Sequence, residues 1–383
     1  MAIDRSPVAV RSIDIGARTS LHMLVEEASR QLDICNACRY CEGFCAVFPA
    51  LERRTVLSQG DVSQIANLCH DCRACYDACM YTEPHDFDLN VPKVLSAVRV
   101  ADYRRYVWPR SVPRLLSGWS GVFAGAVVAV AVVLIVAVIN VGFSGLLQDP
   151  AGSASPYALI PYPVLLVMML APAVFAVVVM GAATRTYWRE VGGAPPGRSV
   201  PAAAWRAVGY AASLRYLRGG GGDCYYPEDE LPSSARRHLH GMVAYGFGLC
   251  LVSTVSAGIM QDFLGIDPPY ALVSVPVLSG LVGGIGLAAG CLGLLVLKAR
   301  SSDVTSFAQM TIKDYGFLVS LLFLALTGLA TLFTRTTPAY GLVLIVHLAA
   351  IGLTFAAAPY SKFVHLIYRF LALVRDNLER AAG

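Results

Sequence analysis

Eight of the eleven cysteines fall within residues 35–79, in two copies of one spacing. The first run is Cys35, Cys38, Cys41 and Cys45; the second is Cys69, Cys72, Cys75 and Cys79. Both read C-x2-C-x2-C-x3-C. Three cysteines so spaced let one tight loop present three thiolates to one 4Fe–4S cubane, and the fourth ligand comes from elsewhere. In two-cluster ferredoxins the fourth cysteine ligates the other cluster. That rule gives cluster one Cys35, Cys38, Cys41 and Cys79, and cluster two Cys69, Cys72, Cys75 and Cys45. The usual proline after the fourth cysteine is absent, with Ala46 and Met80 in its place. Zinc knots favour pairs of C-x2-C. A disulfide framework needs an oxidising compartment, and the N-terminal residues have no apolar signal core. His70, beside Cys69, reads as tuning the cluster or as simply exposed. Cys224, Cys250 and Cys291 are isolated; the last two read as small buried residues.

These thiolates must be carried by a soluble head, and the rest of the 383 residues is of another kind. The chain is 56% hydrophobic and 15% charged, with a mean hydropathy of +0.57; ordinary domains carry about 25% charged residues. A net charge of +4 is too small to point to nucleic acid. Residues 1–110 are ordinary in charge and form the expected two-cluster domain. Residues 111–383 hold six stretches without Asp, Glu, Lys or Arg: Trp119–Gln148, Ala151–Thr184, Gly241–Gln261, Pro268–Leu297, Tyr315–Thr334 and Thr336–Ser361. Each reaches the ~20 residues that cross a bilayer as a helix, and none alternates as a barrel strand would. The expected fold is therefore mostly α: a ferredoxin-like α-helical head with two 4Fe–4S clusters, then a six-helix transmembrane bundle.

Basic residues orient the bundle. The 185–239 loop is rich in arginine, the 298–314 turn holds Lys298, Arg300 and Lys313, and the tail holds Lys362, Arg369, Arg375 and Arg380. The links on the other side hold one basic residue, Arg335. The head, that loop and both termini are thus expected in the cytoplasm of a bacterium, with the chain in its inner membrane. Within the loop, Ala202–Leu217 reads as a surface helix and Gly219–Gly222 as a breaker.

Ionisable residues in or beside membrane helices are functional candidates. A b-type haem held by two helices needs one imidazole from each at matching depth. His240, at the start of the third segment, and His365 meet that condition; His238, two residues away, faces elsewhere. His347 precedes His365 by 18 residues, five turns or about 27 Å on a continuous helix. It is a candidate for a second haem or for contact with a quinone oxygen.

The motifs CNACRYCEGFC and CHDCRACYDAC, the loop GGGGDCYYPEDELPSSARRHLHGMVAYGFGLC and the end HLAAIGLTFAAAPYSKFVHLIYR resemble the tricarballylate-utilisation protein B, or CitB-like, family. The resemblance runs from about residue 30 to 375. It implies a membrane partner for an FAD-dependent dehydrogenase that oxidises tricarballylate to cis-aconitate. The partner's reduced flavin would be reoxidised through iron–sulfur clusters and haem to acceptors in the membrane. The last helix also resembles the cytochrome b subunit of respiratory nitrate reductase, where two histidines on one helix pair with two on an earlier one. His240, His347 and His365 match that scheme, and Cys250 stands where the fourth histidine is expected.

The reading is an electron-transfer subunit, not itself the substrate dehydrogenase: a cytoplasmic flavoprotein feeds two 4Fe–4S clusters, a haem b and then quinone. No dinucleotide fingerprint or paired catalytic carboxylates are visible. The alternatives are the same relay serving a citrate-related or thiol/disulfide dehydrogenase, or a transporter or redox sensor. Against transport, the membrane segments carry no carboxylate for ion coupling and no inverted repeat.

Overall fold

The computed structural model describes residues 15–16, 19–112, 119–147, 155–218, 224–225 and 232–380. The glycine run 219–222 and the stretch 148–154 lie outside them.

Among the described residues the head has five helices: α1 (Leu21–Cys38), α2 (Val47–Glu52), α3 (Gln59–Leu68), α4 (Ala74–Asp77) and α5 (Val91–Tyr106). Their ends are written in the sequence. The Ser20 hydroxyl accepts from the Met23 amide at the start of α1. Ser58 and Asp61 form a reciprocal capping box on α3. Asn90 caps α5 ahead of Pro92. In both cysteine runs the residue after the second cysteine is an arginine in the left-handed region, Arg39 with φ 56° and Arg73 with φ 67°. That conformation costs a non-glycine residue about 1–2 kcal/mol and turns the chain sharply enough for the third cysteine to face the first two.

The six expected crossings are present as α6 (Trp119–Gly145), α8 (Tyr162–Glu190), α10 (Ala235–Asp262), α11 (Val275–Arg300), α12 (Ala308–Thr334) and α13 (Tyr340–Ala357). The short α7 (Pro156–Leu159) precedes α8, and α9 (Val200–Ala212) and α14 (His365–Arg380) lie outside the bundle. Apolar side chains project outward along the crossings: Ile139 is 81% exposed and Val167 66%. Exposed apolar area on this scale is compatible with a bilayer covering it. Neighbours run α10–α11–α12–α13, with α13 also packed on α6 and α8.

Two expectations are corrected. Charge-free stretches underestimate the helices, since α10 begins at Ala235 and α12 at Ala308, so Arg236, Lys313 and Asp314 lie inside helices. A bundle carboxylate therefore exists: Asp314 is 7% exposed. Second, His347 and His365 do not share a helix. α13 ends at Ala357, passes through a 3-10 turn at Ala358–Tyr360 and an extended Ser361, and α14 starts at His365. Pro359 cannot donate a helical hydrogen bond, so the five-turn relation between the two histidines does not hold.

The head does not hang from the bundle by a linker. Its core continues into Ala183 and Tyr187 of α8, Ala203 and Ala207 of α9, and Tyr368 and Leu373 of α14. Tyr103, Tyr106, Tyr187 and Tyr368 cluster with ring centres 5.1–5.7 Å apart. The expected surface helix is α9. Its small residues face α14, where the Asn377 amide donates to the Ala203 carbonyl at 3.2 Å, while Trp205 is 78% exposed on the other side.

Candidate metal centres

The cysteines gather in two groups of four, and each group draws its fourth member from the other run. Burial pushes the Cys35 thiol up to about 12, helped by Cys79, Cys41 and Cys38. Cys41 is likewise pushed up to about 12, by burial and then by Cys79 and Cys38. Burial raises the Cys45 thiol too, and the thiolates that add to the effect are Cys72 and Cys69. Cys75 is raised by burial and by Cys72, Cys69, Cys45 and then Cys41, the last belonging to the other group. Four mutually repelling thiols around one space are what a cluster held by four cysteines needs, because the metal replaces their protons. Among the described residues no three His, Cys, Asp or Glu side chains close on a point as around a single ion. Cys35, Cys38, Cys41 and Cys79, joined by Cys75, line a small cavity with Tyr40, Phe48 and Met80.

The two groups differ in setting. Cys38 is exposed, whereas Cys69 and Cys72 are buried. Around the first, Asp77, Glu83 and Asp86 are exposed with Tyr40 and Met80. Around the second, cations converge on the backbone. The Arg99 guanidinium donates to the Cys69 carbonyl at 2.8 Å and to Ala66 at 3.0 Å. Arg369 also donates to the Cys69 carbonyl. Arg236 donates to the carbonyls of Asp71 and of His70, the latter at 2.9 Å. The Cys69 and Cys79 sulfurs accept amide hydrogens from Asp71 and Tyr81, each at 3.4 Å.

Arg236 lies one turn before His240 on α10, and Arg369 one turn after His365 on α14. The two arginines therefore pin the second cysteine loop between the helices that carry the two histidines. The spacings Arg-x3-His and His-x3-Arg were legible in the sequence but gave no hint of their common target. His70 sits in the same junction against Tyr216, with Nδ1 buried. Burial, then Arg369 and Arg236, hold its imidazole well below the usual range, so it is neutral.

His240 and His365 come together as expected, with ring centres 6.5 Å apart and planes at 88°. Two imidazoles that held one metal ion at about 2 Å each would stand at roughly this separation. The His365 Nδ1 is 2.5 Å from the Lys362 carbonyl. A carbonyl only accepts, so Nδ1 bears the proton and Nε2 keeps its lone pair. Burial pushes His365 down to about 3, aided by Lys362 and Arg369, which keeps the ring neutral. His240 Nδ1 is buried without a hydrogen-bond partner among the described residues. Both rings line a partly open cavity of about 280 Å³. The pair fits a haem. His238 is exposed.

His347 stands apart. Its Nδ1 is 3.0 Å from the Thr327 hydroxyl, and its ring lies on Gly328 so closely that a Cβ there would sit 3.0 Å from Cε1. Cys250 faces α11, its amide nitrogen 2.9 Å from where a Cβ on Gly283 would be, as a small residue in a tight seam.

A family model described as Citrate utilization protein B matches residues 122–383, and one described as Citrate utilization protein B Fer4-like domain matches residues 28–105. A relative described as Citrate utilization protein B, from Escherichia coli, is 37% identical over 360 residues, covering 93% of this chain and 93% of that protein. No solved structure matches the chain.

Proposed function

The chain belongs to the citrate utilization protein B family, an iron–sulfur electron-transfer protein with six helices fit to cross a membrane, and from that premise we propose that it carries electrons from a cytoplasmic FAD-dependent dehydrogenase to membrane quinone. Cys35, Cys38, Cys41 and Cys79 hold one 4Fe–4S cluster and Cys69, Cys72, Cys75 and Cys45 the other. His240 and His365 hold a b-type haem. Bound there, these groups supply one-electron steps between a two-electron flavin and a two-electron quinone. The observation that carries the reading is the arginine-pinned loop, because Arg236 and Arg369 tie the buried cysteine group to both histidine helices at once.

The protein's own residues prepare the route. The exposed group at Cys38 faces the donor, and the buried group at Cys69 faces the bundle. The Lys362 carbonyl fixes the His365 tautomer. The basic loops favour a head and termini on the cytoplasmic side of an inner membrane. The resemblance to tricarballylate-utilisation proteins supports tricarballylate as the dehydrogenase's substrate. The relative's name favours a second reading, the same relay serving a citrate-related acid.

The test is reduction of the full-length protein by its reduced flavoprotein partner, followed optically with quinone as acceptor. Cys41→Ser and Cys75→Ser should each abolish quinone reduction. Unchanged reduction in both variants would overturn the relay.

A further inference from the structure

The break between α13 and α14 is where the His365 imidazole finds its hydrogen-bond partner. Ser361 is extended, with φ −95° and ψ −177°, and a second 3-10 turn, Lys362–Val364, leads into His365. The Lys362 carbonyl at the start of that turn stands 2.5 Å from the His365 Nδ1. The segment's own side chains do little to fix that carbonyl: the Ser361 hydroxyl donates to the Ala358 carbonyl at 3.0 Å and accepts from the Phe363 amide at 3.1 Å. The remaining grip comes from outside, and two consecutive residues of α12 supply it. The Lys313 ammonium donates to the Tyr360 carbonyl at 3.2 Å, on one side of Ser361. The Asp314 carboxylate accepts from the Lys362 ammonium, on the other side. Lys298 of α11 anchors Asp314 in turn, at 2.7 Å. One turn after Lys313, the Phe317 ring lies 6.0 Å from that of Phe363 and 6.1 Å from that of His365.

Consecutive residues on a helix diverge by about 100°, so Lys313 and Asp314 reach the two sides of one short segment. A carboxylate buried in a membrane bundle is costly and marks a function. We propose that Lys313 and Asp314 are positioning residues for the His365 ring: they clamp Tyr360 and Lys362 so that the Lys362 carbonyl keeps the Nδ1 hydrogen and Nε2 stays free for iron. This rests on the assignment of His240 and His365 as haem ligands. A hydrogen bond from Nδ1 raises the basicity of the coordinating nitrogen, which favours ferric over ferrous iron, and such bonds are one of a protein's levers on haem potential. Loosening the clamp therefore raises the potential. Charge alone predicts the opposite for Lys313, because removing a nearby cation favours the more positive, oxidised iron.

The experiment is a potentiometric titration of the full-length, detergent-purified protein, followed in the haem absorption band. Lys313→Met should raise the ratio of reduced to oxidised haem at a fixed potential several-fold, although it removes a positive charge. Lys313→Arg, which keeps a donor for the Tyr360 carbonyl, should return the ratio toward that of wild type. Lys298→Met removes the same charge and leaves both contacts to the break, so it should leave the ratio unchanged or lower it. Asp314→Glu keeps the charge and displaces Lys362, so it should raise the ratio too. A ratio at or below that of wild type in Lys313→Met, or in Asp314→Glu should the first variant retain no haem, would overturn the clamp while leaving the histidine assignment standing. A wild-type protein without a haem band would overturn the histidine assignment and the clamp with it.

Discussion

Cys79 and Cys45 decide how the two thiolate groups are wired. Cys79 lies with Cys35, Cys38 and Cys41, so Cys79→Ser should abolish the paramagnetic signal of the exposed cluster and spare that of the buried one. Cys45→Ser should do the reverse, each variant losing about half of roughly eight irons. Electron paramagnetic resonance with iron analysis reads this, and loss of the buried cluster's signal in Cys79→Ser would refute the crossing. The surroundings also separate the two potentials. Arg99 donates to the Cys69 carbonyl, and positive charge stabilises a cluster's reduced, more negative form. The buried cluster should therefore titrate at the higher potential, and Arg99→Met should lower it by about 60 mV, the one-electron equivalent of a tenfold shift. A redox titration in which the exposed cluster holds the higher potential would contradict this. The two C-x2-C-x2-C-x3-C runs were legible because the spacing itself is written in the sequence. The arginine clamps were not, since four-residue spacing on a helix names a face and never the partner on it.

At the scale of elements, the seam between α10 and α11 sets the histidine geometry. Gly246 and Gly283 face one another so closely that a Cβ on Gly283 would lie 2.8 Å from the Gly246 carbonyl oxygen. Small residues at such contacts let membrane helices approach. Gly283→Ala should cost about 1–3 kcal/mol, seen as a lower melting temperature and reduced haem retention. Gly181→Ala, where a Cβ meets nothing within 4 Å, should leave both unchanged. Equal melting of the two variants would remove the seam from the account. The number and length of the crossings could be read from hydropathy, because a bilayer imposes one length on every span. The break at Pro359 and Ser361 could not be placed, and the expectation of one continuous helix through His365 failed there. The buried Asp314 was missed for a related reason: a charge-free window ends before the paired charges that helix ends carry into the bundle.

For the molecule as a whole, charge is graded along the route. Asp77, Glu83 and Asp86, within or just after the second cysteine run, are exposed, as is Arg39 beside Cys38, while Arg99, Arg236 and Arg369 gather at the buried group. A flavoprotein that docks at Tyr40 and Met80 would present basic residues, so its electron-transfer rate should fall as ionic strength rises from about 0.05 to 0.5 M. A rate indifferent to salt would place docking elsewhere. The shared core of head, α9 and α14 keeps the two centres at one separation, and no sequence pattern announces it, because the residues involved lie hundreds of positions apart. The central claim is that two cysteine groups and one histidine pair form a single relay. Its most direct test is an oxidised-minus-reduced optical spectrum of the detergent-purified protein, with iron and haem quantified on the same sample. The account predicts about eight non-haem irons with one b-type haem, and loss of the haem band in His240→Ala and His365→Ala but not in His347→Ala. A full complement of iron with no haem band in the wild-type protein would contradict it.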